Sequence, residues 1–420
     1  MKNVIKSILR LPFQLVSQLI FVCVILPGLH LIKPYRKIII RKLPYNRIGH
    51  LSGNADFELR LRQISDPRPN EILVFISGPP VNRQLLDMLK RHLVILEGYW
   101  LIRALFAVEG LLKKTPFYEL DTWVEYDCLR EITAAHATLT FTEQEEKKGR
   151  EALREMGIGD NDWFVCVHAR DSQYLAETSP DLEWAYHDYR DCSIKNYLPA
   201  MQHITEQGGY VLRMGSVVSE ALEDTGNPRI IDYASKHRSE FMDIFASAKC
   251  RFFLGSTGGL FNVAWVFDVP VAHANMTPLS VLPFRQEDIF IPKLLRRKSD
   301  HQPINLEDAH KTGLFDPTIR RLFTTEYYDV MDLEFFENSP DEILSLTQEM
   351  FAKLDGREVS KSNQELQSAY KSKFMSHIPG FDLVGEISWN FLRNHQDVTG
   401  LKFPIDPVDA VSPDKHKRVG

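Results

Sequence analysis

The sequence predicts an α/β protein: two Rossmann-like, doubly wound lobes behind an amino-terminal membrane-associated helix. Three observations carry this expectation. The 420 residues exceed one ordinary core and suit two domains with appendages. Two successive tracts alternate short apolar runs with helical stretches and polar turns, the βαβ rhythm of a parallel sheet. An apolar segment without formal charge precedes both tracts. The expected divisions are residues 1–34 for the anchor, 35–157 for the first lobe, 158–355 for the second, and 356–420 for a helical extension and tail.

The charge is unevenly spread. Residues 1–55 hold nine Lys or Arg and no Asp or Glu, whereas the rest holds 41 basic against 56 acidic residues, a net of −15. A basic end on an acidic body favours an anionic surface. The apolar run Leu11–Ile32 (LPFQLVSQLIFVCVILPGLHLI) makes that surface a membrane rather than nucleic acid. No zinc-finger, basic-zipper or RNA-recognition pattern is present. As a helix the run is long enough to cross a bilayer, about 30 Å. Gln14, Ser17, Gln18, Pro27, Gly28 and His30 weaken a clean span. An interfacial anchor, a single span and a buried helix are all compatible with it, and a span would leave the body in the cytoplasm. KPYRK after Ile32 offers no small-residue cleavage site. The five cysteines, Cys23, Cys128, Cys166, Cys192 and Cys250, are scattered and form no CxxC pair, which suits reduced thiols in a cytoplasmic body.

In the first lobe, Arg36–Arg41 reads as a strand, LPYNRIGHLSGN as a turn-rich connection and Asp56–Ile64 as a helix. Ile72–Ile76 is a second strand, Arg83–Arg91 a helix, and Leu93–Leu96 another apolar run. Glu143–Met156 is a charged helix, and GIGDND marks the boundary between lobes.

The second lobe is more regular. Trp163–His168 is continuously apolar, as in a strand covered on both faces. Ser193–Glu206 is a helix that Pro199 is expected to kink, and Gly208-Gly209 ends it. Strands follow at Tyr210–Arg213, Arg229–Asp232, Arg251–Leu254 and Val269–His273, with helices at Ser239–Ala248 and Leu260–Phe267. Asn338–Leu354 is a helix with Ser339 as cap and Pro340 in its first turn. PIDPVDAVSPDKHKRVG reads as a frayed tail.

Ligands of doubly wound sheets bind at the carboxyl ends of strands, which selects four loops. Gly255-Ser256-Thr257-Gly258-Gly259 lies between a strand and a helix, where glycines admit a phosphate, the helix amino terminus offers N–H groups, and two hydroxyls add donors. His168-Ala169-Arg170-Asp171 supplies an arginine suited to a diphosphate, with His168 orienting it and Asp171 pairing with Arg170 or accepting from a sugar. Arg213, with Gly215 and Ser216, brings a second cation to a neighbouring strand end. Gly49 and His50 stand in the first lobe, with His50 as a base or acceptor ligand. Asp191 is a sugar contact or a cap.

Other chemistries find no support. Asp160-Asn161-Asp162 precedes a strand and reads as a turn, not a metal site. Zinc, EF-hand, HExxH, Walker and GxSxG patterns are absent. No metal and no cofactor is expected.

The pieces RIGHLSGN (47–54), VCVHARDSQYL (165–175), YRDCSIKNYLPAM (189–201), YVLRMGS (210–216), FFLGSTGGLFNVA (252–264), IFIPKLL (289–295) and NSPDEILSLTQEM (338–350) resemble a family of bacterial glycosyltransferases associated with surface polysaccharide. More distantly, the His168-Ala169-Arg170 element is similar to that of two-lobed fucosyltransferases, where the arginine contacts the nucleotide diphosphate. The resemblance implies a GT-B fold and a nucleotide-sugar donor, which the second lobe is expected to bind; the expected acceptor is a glycan or lipid-linked molecule at the membrane. A sugar-nucleotide epimerase and a non-catalytic polysaccharide assembly factor are the rival readings on the same fold.

Overall fold

A computed structural model describes residues 12–64, 70–120, 129–171, 185–216 and 221–401. Lys2, Lys6, Arg10, Cys128, Tyr174 and the expected tail after Leu401 lie outside the described residues.

The first lobe is built on four parallel strands, β1 (Lys37–Lys42), β2 (Glu71–Ser77), β3 (Val94–Glu97) and β4 (Tyr118–Glu119), in the order β3-β2-β1-β4. The strands form where the sequence places its β-branched runs. Arg41 is buried in β1 because two carboxylates meet it, Glu58 at 2.9 Å and Glu119 at 2.6 Å. Helix Ile48–Ile64 follows β1 and starts eight residues earlier than Asp56. The turn reading of RIGHLSGN is therefore corrected: its small residues line a buried helix face instead of breaking the chain. Helix Tyr99–Leu112, which no capping or turn signal announced, packs on β2.

The second lobe has strands β5 (Phe164–His168), β6 (Tyr210–Arg213), β7 (Ile230–Ile231), β8 (Phe253–Gly255), β9 (Val271–Met276) and β10 (Ile289–Pro292). Next come an antiparallel pair, β11 (Leu294–Arg297) with β12 (Leu333–Phe336), and finally β13 (Glu386–Ile387). Seven of these make one parallel sheet, β13-β10-β9-β8-β5-β6-β7. Two parallel α/β lobes in sequence give the GT-B-like architecture expected. The chain goes from β5 outward to β6 and β7, then returns to lay β8 on the other side of β5. The reversal opens a crevice at the carboxyl ends of β5 and β8, where His168 and Gly255 are in register.

Local differences have local causes. Pro199 does not kink a long helix; it sits in the first turn of helix Leu198–Glu206, after a 3-10 turn at Ile194–Tyr197. Ser339 caps helix Pro340–Leu354 in a capping box with Glu342, as expected. Asp160 pairs with Arg154 and Asp162 accepts from Gly159 N, so that segment is the turn expected. The expected division at residue 356 separates nothing, because β13 completes the second sheet. Helix Glu143–Glu155 also leans on the second lobe: a Cβ at Gly149 would stand 2.3 Å from the Phe245 ring, and Glu146 meets Lys249 at 2.5 Å.

The lobes meet backbone to backbone. A Cβ on Gly49 would lie 2.7 Å from Gly259 Cα, and one on Gly259 would lie 2.9 Å from Gly49 N. Helix 48–64 thus lies directly on the short helix Phe261–Val266. A buried polar cluster flanks this contact. Arg60 donates to Asp56 at 2.6 Å, to Asp268 at 2.9 Å and to the Ala135 carbonyl at 2.8 Å, and its guanidinium lies 5.0 Å from the Trp265 ring centroid.

Gly259→Ala should destabilise the protein by about 1–3 kcal/mol, since neither backbone has a flexible side chain to move aside. Gly53→Ala is the control, because its Cβ would come no nearer than 4.0 Å to Asn262. Thermal melts compare the two; equal melting temperatures would show that the lobes are not in backbone contact in solution.

Candidate active site

The crevice between β5 and β8 is held together by its own loops. Ser256 N donates to the His168 carbonyl at 3.2 Å, and Ser256 Oγ accepts from Arg170 N at 2.9 Å. Thr257 Oγ1 accepts from Thr277 N at 2.9 Å. Both hydroxyl oxygens therefore brace the glycine loop against neighbouring strands. Gly258 sits against His168, its Cβ position 3.4 Å from the imidazole. Gly255 closes on the same strand end, 3.0 Å from the His168 carbonyl by the same measure.

Two expectations for this loop are corrected. The close approach that Gly49 and Gly259 permit is to each other, not to a ligand. The helix after the loop has only six residues, Phe261–Val266, so its dipole is a weak anion attractor. Attraction for an anion falls to the guanidinium groups instead.

Arg170 is buried, and its Nη1 is ion-paired with Asp191 Oδ1. Asp171 is not that partner; it stands near enough to His168 to pull the imidazole's pKa upward. Asp191 pairs with Arg170 through Oδ1, a role the sequence reading did not give it. Burial first, and the Arg190 guanidinium second, lower Arg170 to about 10, against the Asp188 carboxylate, which raises it. Burial and a neighbouring cation disfavour the charged guanidinium, and an anion beside it favours that form.

Three histidines surround these cations, and each is kept neutral. His168 is lowered to about 4 by burial, then by Arg213 and Arg170. His50 is lowered to about 4 by burial, then by Arg47 and Arg190. His187 is lowered to about 3 by burial, then by Arg190, Arg170 and Arg47. Arg47 and His50 belong to the first lobe, Arg170, His187 and Arg190 to the second. Their mutual influence places one electropositive site across both.

Arg213 reaches this site from β6, with Nη1 3.1 Å from Asp232 Oδ1, and both groups are buried. Gly215 and Ser216 follow it at the same sheet edge. His187 and Lys293 escaped the sequence reading, and Arg47 and Arg190 stood in its candidate loops without a role. Lys293 is buried, and its Nζ donates to the carbonyls of Tyr189 at 3.2 Å and Asp191 at 2.5 Å, so it fixes the segment that carries Arg190. Its signal was available: one lysine inside the apolar run IFIPKLL. Among the described residues, no group of three His, Cys, Asp or Glu side chains is placed to hold a metal ion.

No family model and no curated protein matches the sequence. The chain is partly similar to solved structures. A glycosyl transferase of family 9 from Veillonella parvula is 10% identical, with a TM-score of 0.40, over 74% of this chain and 98% of its own. The E. coli ADP-heptose LPS heptosyltransferase II is 11% identical, with a TM-score of 0.40, over 70% of this chain and 98% of its own. The dodecameric glycosyltransferase TibC from enterotoxigenic E. coli is 9% identical, with a TM-score of 0.34, over 59% of each chain.

The depressed histidines fix the sign of a pH effect. Below the ordinary histidine value of about 6.5 the unfolded chain takes up protons that folded His50, His168 and His187 refuse. Their contribution is therefore present above 6.5 and is lost as pH falls toward 4. Asp56 and Glu349, both raised to about 7 by burial, act in the opposite direction over the same window. His187→Asn isolates one term: its stability relative to the parent should improve steadily as pH falls from 6.5 to 4.5, by urea unfolding. A difference independent of pH would show that His187 titrates normally.

Proposed function

We propose that this chain is a glycosyltransferase, moving a sugar from a nucleotide-sugar donor to a polysaccharide, glycolipid or other surface-glycan acceptor on the cytoplasmic side of a membrane. The observation that carries the proposal is the convergence of Arg170, Arg190 and Arg47 at the switch point of a parallel sheet, among histidines kept neutral. Guanidinium groups from both lobes stand at the place where such sheets bind nucleotides.

The donor diphosphate lies against Arg170 and Arg190, near the Gly255–Gly258 loop, with Arg213, Gly215 and Ser216 along the neighbouring strand end. As the bond from the anomeric carbon to the phosphate oxygen breaks, charge grows on that oxygen, and the guanidinium groups stabilise it. In an inverting reaction the acceptor hydroxyl attacks from the first-lobe side and gives its proton to His50. His50 is neutral at pH 7, and the arriving diphosphate raises its basicity. Asp171 steadies His168 beside the phosphates. Because the protein's own cations meet the phosphate charge, transfer proceeds without a metal, and EDTA should leave the rate unchanged.

A thermal-shift screen with GDP, UDP, CMP, ADP and dTDP tests the donor site. One nucleotide should raise the melting temperature, and Arg170→Ala should abolish the rise. Stabilisation unchanged in Arg170→Ala would remove Arg170 from the site. No response to any of the five would favour a non-catalytic assembly factor.

A further inference from the structure

The flank of the first lobe carries an apolar surface that the active site does not use. Helix Pro12–Ile32 turns Phe21 and Leu29 into the lobe, where they pack with Ile102, Leu105 and Phe117. The rest of it faces outward: Leu15, Val16, Leu19, Val22, Val24 and Leu31 are all exposed, Leu31 to 75%. Helix Tyr99–Leu112 lies alongside. The Phe13 and Trp100 rings are 5.8 Å apart, Gln18 donates to the Ala107 carbonyl at 3.0 Å, and His30 meets Phe117 edge-on at 4.9 Å. These contacts advance together along both segments, so the first helix is docked over nearly its whole length. The second helix adds Tyr99, Trp100 and Phe106 to the exposed face, Trp100 to 65%.

The face has a mainly basic rim, with Glu109 paired to Lys113 at 3.1 Å within it. Lys33, Arg36, Lys113 and Lys114 are exposed at its edges. Arg103 lies 5.6 Å from the Trp100 ring centroid, and Lys42 Nζ lies 5.3 Å from that of Phe106.

We infer that this two-helix face seats in one leaflet of an anionic phospholipid bilayer, with helix 12–32 lying in the membrane plane and not crossing it. A crossing helix surrounded by lipid cannot be lined by a soluble lobe from Phe13 to His30. A span would carry helix 99–112 and the neighbouring strand β1, with buried Arg41, into hydrocarbon. In the plane, every contact is kept. The aliphatic side chains enter the acyl region, Tyr99 and Trp100 take the headgroup boundary, and the basic rim meets lipid phosphates.

The seat reaches the cleft. Helix 99–112 begins just past the carboxyl end of β3, and Tyr99 lies near enough to Tyr45 to raise its pKa. Tyr45 precedes Arg47 and His50 on the connection from β1. Resting on the transferase reading, the seat narrows the acceptor to a lipid-tethered one, whose head group is held at His50 while its tail stays in the leaflet.

The test uses the full chain. Flotation with vesicles of phosphatidylcholine and phosphatidylglycerol should fall about tenfold in Trp100→Glu/Phe106→Glu, with helix 12–32 left intact. Vesicles of phosphatidylcholine alone should bind the parent less well. Pro12→Cys or Lys33→Cys, each in a background with Cys23, Cys128 and Cys192 replaced by Ser and with Cys166 and Cys250 buried, should both react with an impermeant maleimide added outside preformed vesicles, above the level of that background alone. Unchanged flotation of the double variant, or protection of one helix end, overturns the seat, as does a lipid-free dimer that buries Trp100 and ignores vesicles. The nucleotide-induced thermal shift should persist in the double variant. It reports separately on the donor site and on folding.

Discussion

The contact between Gly49 and Gly259 sets the rest of the molecule. Two backbones within van der Waals reach leave no room for side chains, so the lobes have one way to meet along helix 48–64. That fit puts His50, one residue further on, opposite the loops that end β5 and β8. It also places Arg47 where it acts on His187 of the other lobe. The Asp56–Arg60–Asp268 cluster reinforces the seam with charge-assisted hydrogen bonds that only the joined lobes can complete. A glycine expected to admit a ligand therefore builds the cleft in which a ligand can bind.

The electrostatics of the site follow from this closure. Burial depresses the histidines and Arg170, and the guanidinium groups depress them further. Positive charge held together in a low-dielectric crevice costs stability, and in the proposed function a diphosphate relieves that cost. Asp191 and Lys293 fix the geometry: one holds the Arg170 guanidinium, and the other ties down the backbone on either side of Arg190. Binding and rigidity are thus divided among different residues of one segment.

Much of this was legible in the sequence. WFVCVH and RFFL announced central strands because continuous apolar runs suit strands covered on both faces, and the polar residues directly after them stand at the carboxyl edge of the sheet. The pairing of Arg170 was not legible. Asp171 is adjacent in sequence, but Asp191 wins because the return of the chain from the 3-10 turn Ala185–Arg190 brings its carboxylate to the guanidinium. Gly49 was misread for a similar reason: a glycine in a polar stretch looks like a turn until a second glycine from another lobe fills the space beside it. Lys293 and Arg190 required a tertiary neighbour to acquire a role. The helix at Tyr99–Leu112 lacked a cap signal, and its apolar residues serve two surfaces at once, which blurs any single amphipathic stripe.

The central claim is that a nucleoside diphosphate binds among these cations and histidines. Calorimetric titration of the nucleotide near pH 5, in buffers of differing ionisation enthalpy, tests it most directly. That pH lies between the depressed value of about 4 for His50 and His168 and the ordinary value of about 6.5. The account predicts net proton uptake on binding, because the bound phosphates raise the histidines toward protonation. Binding with no buffer dependence would place the diphosphate elsewhere and contradict the assignment of the site.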